Sequence, residues 1–218
     1  MGLLILLLII GIFFPVFWLP LILFGGLFIL FLPFKFTIDS LFNIFTVPGQ
    51  IYKIATNPDL RKNHALEHAT VNLLEKDFGY QNLAGYAREN GFFIIGVDNP
   101  VKVKTAAEKG LYLMKKGNSH LAIHKNCGTS MIMANFVSAL IFLILLFYTG
   151  YFSIMSMVVA IILAHLIGPI LGRKVQQYFT TTPEIKEMNI SSTRLEPGNY
   201  WKQPHKIFVK TEKIPYVK

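Results

Sequence analysis

"GTSMIMANFVSALIFLILLFYTGYFSIMSMVVAIILAHLIGPILG", residues 128–172, runs its whole length without a Lys, Arg, Asp or Glu. It divides into Met131–Thr149 and Phe152–Leu171, each about one bilayer long at ~1.5 Å per residue against ~30 Å of hydrocarbon. The joint between them, "GYFS", has room only for a hairpin turn, so the two outer ends emerge on one side. The stretch predicts a two-helix transmembrane hairpin.

Outward from this block the charges fall unevenly. All 21 Lys and Arg and all 12 Asp and Glu lie within 35–127 and 173–218, and 1–34 is a second block with none. Uncharged blocks of this length exclude an ordinary soluble domain and mark an integral membrane protein in contact with the lipid bilayer. By the positive-inside rule both charged regions face the cytoplasm, with the polar domain and the C-terminus inside. The formal net charge of +9 then follows from topology and an anionic inner leaflet, with no call for a nucleic-acid partner.

Residues 1–34 are apolar but broken by Pro15, Pro20, Gly25-Gly26 and Pro33. As one helix they would run ~50 Å, longer than the bilayer core, so an N-terminal hydrophobic hairpin turning near Pro15–Pro20 is preferred to a single tilted helix. A cleaved signal peptide fits less well, since a basic n-region is missing and the apolar run is too long. Residues 35–58 mix aromatic and aliphatic residues with Lys and Asp at helical spacing and read as an interfacial helix.

Residues 59–127 carry the remaining pattern. A helix is expected from Leu60 to about Asp77, ending before Gly79. "LAGYA" and "GFFIIGV" flank Asn90-Gly91 and suggest a β-hairpin. Asp98-Asn99-Pro100 opens a helix over Val101–Lys116, and "HLAIH", 120–124, reads as a third short strand. The expected architecture is therefore an α+β membrane protein: the N-terminal hairpin, a small α-β-β-α-β cytoplasmic domain, the transmembrane hairpin at 128–172, and a basic cytoplasmic tail at 173–218. In that tail only "HKIFVK" suggests a strand.

The chemistry is concentrated in "NHALEHATVNLLE", 63–75. On a helix His64 and His68 lie one turn apart on one side, close enough to share a metal ion, with Glu67 beside them. Zinc takes imidazole nitrogen, and a catalytic zinc site wants three protein ligands plus an open position. Glu67 is then the general base. Glu75 lies on the same face but ~10 Å farther along the axis, too far for the same ion. His124, in "HLAIHKNCGT", is the favoured third ligand, and His120 the weaker choice. Cys127 stands at His-x-x-Cys spacing from His124 and is either a further ligand, a nucleophile, or a small apolar residue at the membrane boundary. His165, inside the last apolar stretch, is a functional candidate because ionisable groups in a bilayer are costly. Its plainer reading is a neutral imidazole on a carbonyl freed by Pro169.

"NHALEHATVNLL", "GFFIIG", "HLAIHKNCGT" and "GPILGRKVQQYFTTTPE" together resemble an uncharacterised bacterial and cyanobacterial membrane family with a His-Ala-Leu-Glu-His signature. The likeness runs from about Asn63 to Pro183 and implies that the two histidine stretches belong together. The order His-x-x-Glu-His also resembles the inverted-zincin metallopeptidases over five residues, which implies zinc and peptide hydrolysis. Those enzymes draw a third ligand from a glutamate far downstream, which has no readable counterpart here. Three functions are thus in play: a membrane-bound zinc hydrolase acting on a peptide or membrane-protein substrate, a thiol enzyme using Cys127, and a non-enzymatic metal- or cofactor-binding membrane protein.

Overall fold

The computed structural model describes residues 5, 18–151, 153–196 and 205–214. Helix α1 (Trp18–Ala55) is followed by α2 (Pro58–Phe78), the strands β1 (Ala84–Arg88) and β2 (Gly91–Ile95), and α3 (Pro100–Lys115). A 3-10 turn (Ser119–Ala122) leads to α4 (Gly128–Thr149) and α5 (Ile154–Val175). A π-helical turn (Gln176–Thr180) and the strands β3 (Met188–Glu196) and β4 (Lys206–Lys213) are the last of the described elements. The mixed fold therefore combines a helical bundle with an antiparallel sheet of order β1-β2-β4-β3.

Among the described residues three helices, α1, α4 and α5 with its π-turn, are long and apolar enough to cross a membrane. Their outward faces carry exposed Leu23, Phe24, Phe28 and Phe31 on α1, Ile144 and Phe147 on α4, and Ile162 and Leu166 on α5. In water such a belt would be a severe liability, and in lipid it is the expected surface. The α4–α5 seam is tight because the small residues face one another. A Cβ on Gly168 would stand 2.6 Å from Ala134 Cβ, and one on Gly172 2.6 Å from Ser130 Cα. Backbones this close are how helices associate without a hydrophobic driving force.

The polar layer begins where α2 is capped. Asn57 Oδ1 accepts from Leu60 N at 3.0 Å, Pro58 occupies the first turn, and Gly79 closes the helix at φ +72. Its inner face, with Leu66, Ala69 and Leu74, packs with α3 and the sheet in one core that includes Phe92, Ile94, Val103, Ile207 and Val209. Asn63 fixes the roll of α2. Its Nδ2 donates to Arg88 O and Glu89 O, each at 2.9 Å, and its Oδ1 accepts from Thr211 Oγ1 at 2.6 Å. One buried amide thus joins α2, the β1–β2 turn and β4.

Two expectations need correction, and a third falls mostly where the structure is not described. The predicted interfacial helix at 35–58 is not a separate element, because α1 runs unbroken from Trp18 to Ala55 through Pro33 and Pro48. The prolines remove donors without ending the helix, and Thr37 Oγ1 bonds Pro33 O at 2.7 Å. The hairpin turn expected near Pro15–Pro20 falls mostly outside the described residues. "HLAIH" is no strand either: it forms the 3-10 turn and an extended exit at Ile123. Its carbonyls are taken by α2 side chains, with Asn72 Nδ2 on Leu121 O and Ile123 O and His68 Nδ1 on Ala122 O. The place beside β2 is filled instead by β4, so the basic tail is half of the sheet.

Candidate metal centre

His64 and His68 project from one side of α2 with ring centroids 4.4 Å apart. Each imidazole is locked by a backbone carbonyl. His64 Nδ1 lies 3.0 Å from Thr180 O, and His68 Nδ1 lies 2.8 Å from Ala122 O. A carbonyl only accepts, so both Nδ1 atoms carry the proton and both Nε2 atoms present a lone pair. This is the tautomer a metal ligand needs, with its second nitrogen held from behind.

The lone pairs share their space with Cys127. Its Sγ is 3.4 Å from His64 Nε2, and the three ligand atoms all lie within 4.8 Å of one another. His68 Nε2 is buried and has no hydrogen-bond partner among the described residues. An orphaned lone pair beside another imidazole and a thiol is costly unless something binds it, and the donor set N, N, S suits zinc. Cys127 is also the N-cap of α4, its sulfur accepting from Thr129 N at 3.3 Å, where the helix end favours a thiolate.

Glu67 stands alongside. Its Oε2 is 3.8 Å from His64 Nε2 and 4.0 Å from His68 Nε2. Burial pushes its pKa up to about 8. Burial also lowers His64 and holds His68 well below the usual histidine range, so both rings are neutral at pH 7. Burial raises the Cys127 thiol, against the pull of its bonds to the α4 amides.

The elements that make this geometry come from far along the chain. The π-turn is held by Arg61, whose Nη2 donates to Tyr178 O at 3.1 Å and Thr181 O at 2.9 Å. Fully buried Gln176 locks it to the segment before α4 and to the first turn of α4: Nε2 donates to His124 O and Ser130 Oγ, and Oε1 accepts from His124 N. That clamp sets Thr180 O against His64. The cavity in front of the cluster is about 400 Å³, walled by α2, by β1 residues 84–87 and by the start of α4.

His124 does line this cavity, with its ring 6.1 Å from His68, but it is not in the close donor set. Its Nε2 is turned to Glu75 Oε2 at 3.3 Å, and Cys127 takes the place that the sequence reading gave to His124. Glu75, too distant for the ion, finds its partner there. His120 is exposed on the 3-10 turn, away from the cluster, and His165 lines a different cavity within the helical bundle. Thr180, Ala122, Gln176 and Gly85 were not legible as site residues, because three act through backbone or amide groups and the fourth through lacking a side chain.

No curated protein and no solved structure matches the chain. A family profile described as a domain of unknown function, DUF6391, matches residues 59–193. The match takes in both histidine stretches, the α4–α5 hairpin and the π-turn, and covers more than half of the sequence. On that extent of agreement the chain belongs to the DUF6391 family.

Proposed function

We propose that the chain is an integral membrane zinc-dependent hydrolase, a metallopeptidase of the bacterial cell membrane working at the cytoplasmic surface. The observation that carries it is the pair of Nδ1–H bonds to Thr180 O and Ala122 O. They leave two neutral Nε2 lone pairs facing Cys127 Sγ, with a carboxylate within 4.0 Å of both. His64, His68 and Cys127 would hold the ion. A divalent cation there supplies Lewis acidity and lowers the pKa of nearby groups. With that charge beside it Glu67 would be ionised, and would take a proton from the attacking water and pass it to the leaving amine. The cavity wall at 84–87 is part of β1, an edge strand of the sheet, which suits an extended peptide or membrane-protein substrate. The charge pattern supports placing this layer in the cytoplasm.

Cys127 beside His64 also supports a thiol mechanism, with His64 Nε2 as base. That reading has less behind it, since burial raises the thiol's pKa where a nucleophile needs it lowered. Metal analysis of the purified protein, joined to hydrolysis of a membrane-anchored fluorogenic peptide, separates the two. The zinc reading expects one zinc per chain. Glu67→Gln should keep that zinc and lose ~10²-fold or more of the activity. His68→Ala should lose both. Hydrolysis at the wild-type rate by Glu67→Gln, or activity in zinc-free protein, would overturn it.

A further inference from the structure

A second cavity, about 630 Å³, lies between α1, α4 and α5, separate from the metal centre. Its polar lining is Asp39, Ser40 and Asn43 from α1, Asn135 and Ser138 from α4, and His165 from α5. Ser138 and His165 sit near the middle of 22-residue apolar helices. Asp39 is paired with Lys35. Among the described residues the other five side chains have no hydrogen-bond partner. Ser138 is 8% exposed, and its hydroxyl is buried and unpartnered.

In a bilayer this arrangement is expensive, because hydrocarbon offers nothing to hydroxyls and amides. The chemistry of the lining limits the occupant. It is rich in neutral groups that both donate and accept, and among the described residues no Lys or Arg lines it and nearby Lys35 is paired with Asp39, so an anionic headgroup finds no cation in the lining. The volume equals about twenty waters at ~30 Å³ each, far more than one coordinated ion requires. The mouth faces lipid, since Phe42, Ile161 and His165 on its rim are exposed. Ala134, Ala139 and Ala164 keep the floor low enough for another backbone to approach.

We propose that this cavity is the docking site for a transmembrane helix of another membrane protein, one carrying an amide, hydroxyl or carboxyl side chain in its central turns. The incoming side chain enters from the bilayer and bonds Ser138 and Asn135, and its helix packs on the alanines. The inference rests on the membrane reading and does not require the metal.

The test uses the full chain, labelled with a donor dye at Tyr151→Cys and reconstituted in phosphatidylcholine–phosphatidylglycerol vesicles. The probes are acceptor-labelled synthetic Leu/Ala transmembrane peptides with either Asn or Leu at the centre. Energy transfer should show the Asn peptide binding about threefold tighter for one interhelical hydrogen bond and about tenfold for two. Ser138→Ala and Asn135→Leu, singly and together, should erase that preference and leave the Leu peptide unaffected. Neither change disturbs packing, since one removes an orphaned hydroxyl and the other places an apolar group toward lipid. Equal binding of the two peptides overturns the proposal, as does a preference that survives both substitutions. Transfer between two labelled copies of the chain that is lost with Asn135→Leu also overturns it, by making the occupant a second copy.

Discussion

Gly85 and Glu67 compete for one space: a Cβ on residue 85 would stand 2.2 Å from Glu67 Oε1 and 2.8 Å from its carboxyl carbon. Strand β1 therefore passes directly over the carboxylate, and only a residue without a side chain lets it do so. The hairpin thus helps to set where the carboxyl group points, so a position in a strand bears on the direction of a side chain from a helix.

Gly85→Ala should push the Glu67 carboxylate aside while the imidazoles stay on their carbonyls. The expected outcome is at least a ~10-fold loss of hydrolysis with zinc content unchanged, and a stability loss of about 1–3 kcal/mol from overpacking. Metal analysis and thermal melts on the same preparation check both. Full activity in the variant would show that the carboxylate has freedom to spare.

Cys127 and His124 separate by the metal they hold. Cys127→Ala should lower zinc affinity by more than the ~10–100-fold that loss of an outer partner costs, whereas His124→Ala should stay within that range. Competition with a chromophoric chelator reads both. The reverse order would restore the three-histidine site.

Stability against pH in chelated protein carries a definite sign. Glu67 titrates at about 8 when folded against an ordinary 4.5, so the folded state holds the extra proton between these values and stability falls as pH rises through them. His64 and His68 are lowered from 6.5, so their contribution is complete above that pH and is lost as pH falls below it. The cluster alone then gives its highest stability near pH 6.5. Glu67→Gln should flatten the decline between pH 6.5 and 8.5, and zinc should abolish it in the wild type. Parallel melting curves for the two chelated proteins would contradict the burial of this carboxyl.

Asn63→Ala leaves Arg88 O, Glu89 O and Thr211 Oγ1 without their partner in the core. The expected loss is about 2–4 kcal/mol, read as a lower denaturation midpoint in detergent. A change below about 0.5 kcal/mol would mean that water replaces the amide.

Topology is checked by thiol labelling. A probe at Tyr151→Cys should react with an impermeant reagent from outside the cell, and one at Lys115→Cys should not, with native Cys127 silent because it is buried. Labelling at Lys115→Cys from outside would invert the arrangement.

Helices α2 to α5 and the β1–β2 hairpin were legible because their signals are local, whereas the single span of α1 was not, because Pro33 reads as a break that the helix absorbs. Asn57-Pro58 and Asn99-Pro100 cap α2 and α3, Gly79 stops α2, and Asn90-Gly91 turns the hairpin. The pairing of β2 with β4 was not legible, since it joins Phe93 to Phe208 with no local cue for that distance. In the site, helical spacing alone placed His64, Glu67 and His68 together. The choice between His124 and Cys127 depended on a side-chain direction that Glu75 and Gln176 determine, and no spacing rule encodes that.

The π-turn has a consequence for biogenesis. The carbonyl that aligns His64 belongs to Thr180, at the far end of the last apolar helix, and it is in position only when Arg61 and Gln176 have gripped that end. A nascent chain with α2 already folded has its histidines but no carbonyl to set the first of them. The His64 environment is therefore complete only after the end of α5 has folded back against α2, and on the proposed function a chain lacking that last step would lack activity.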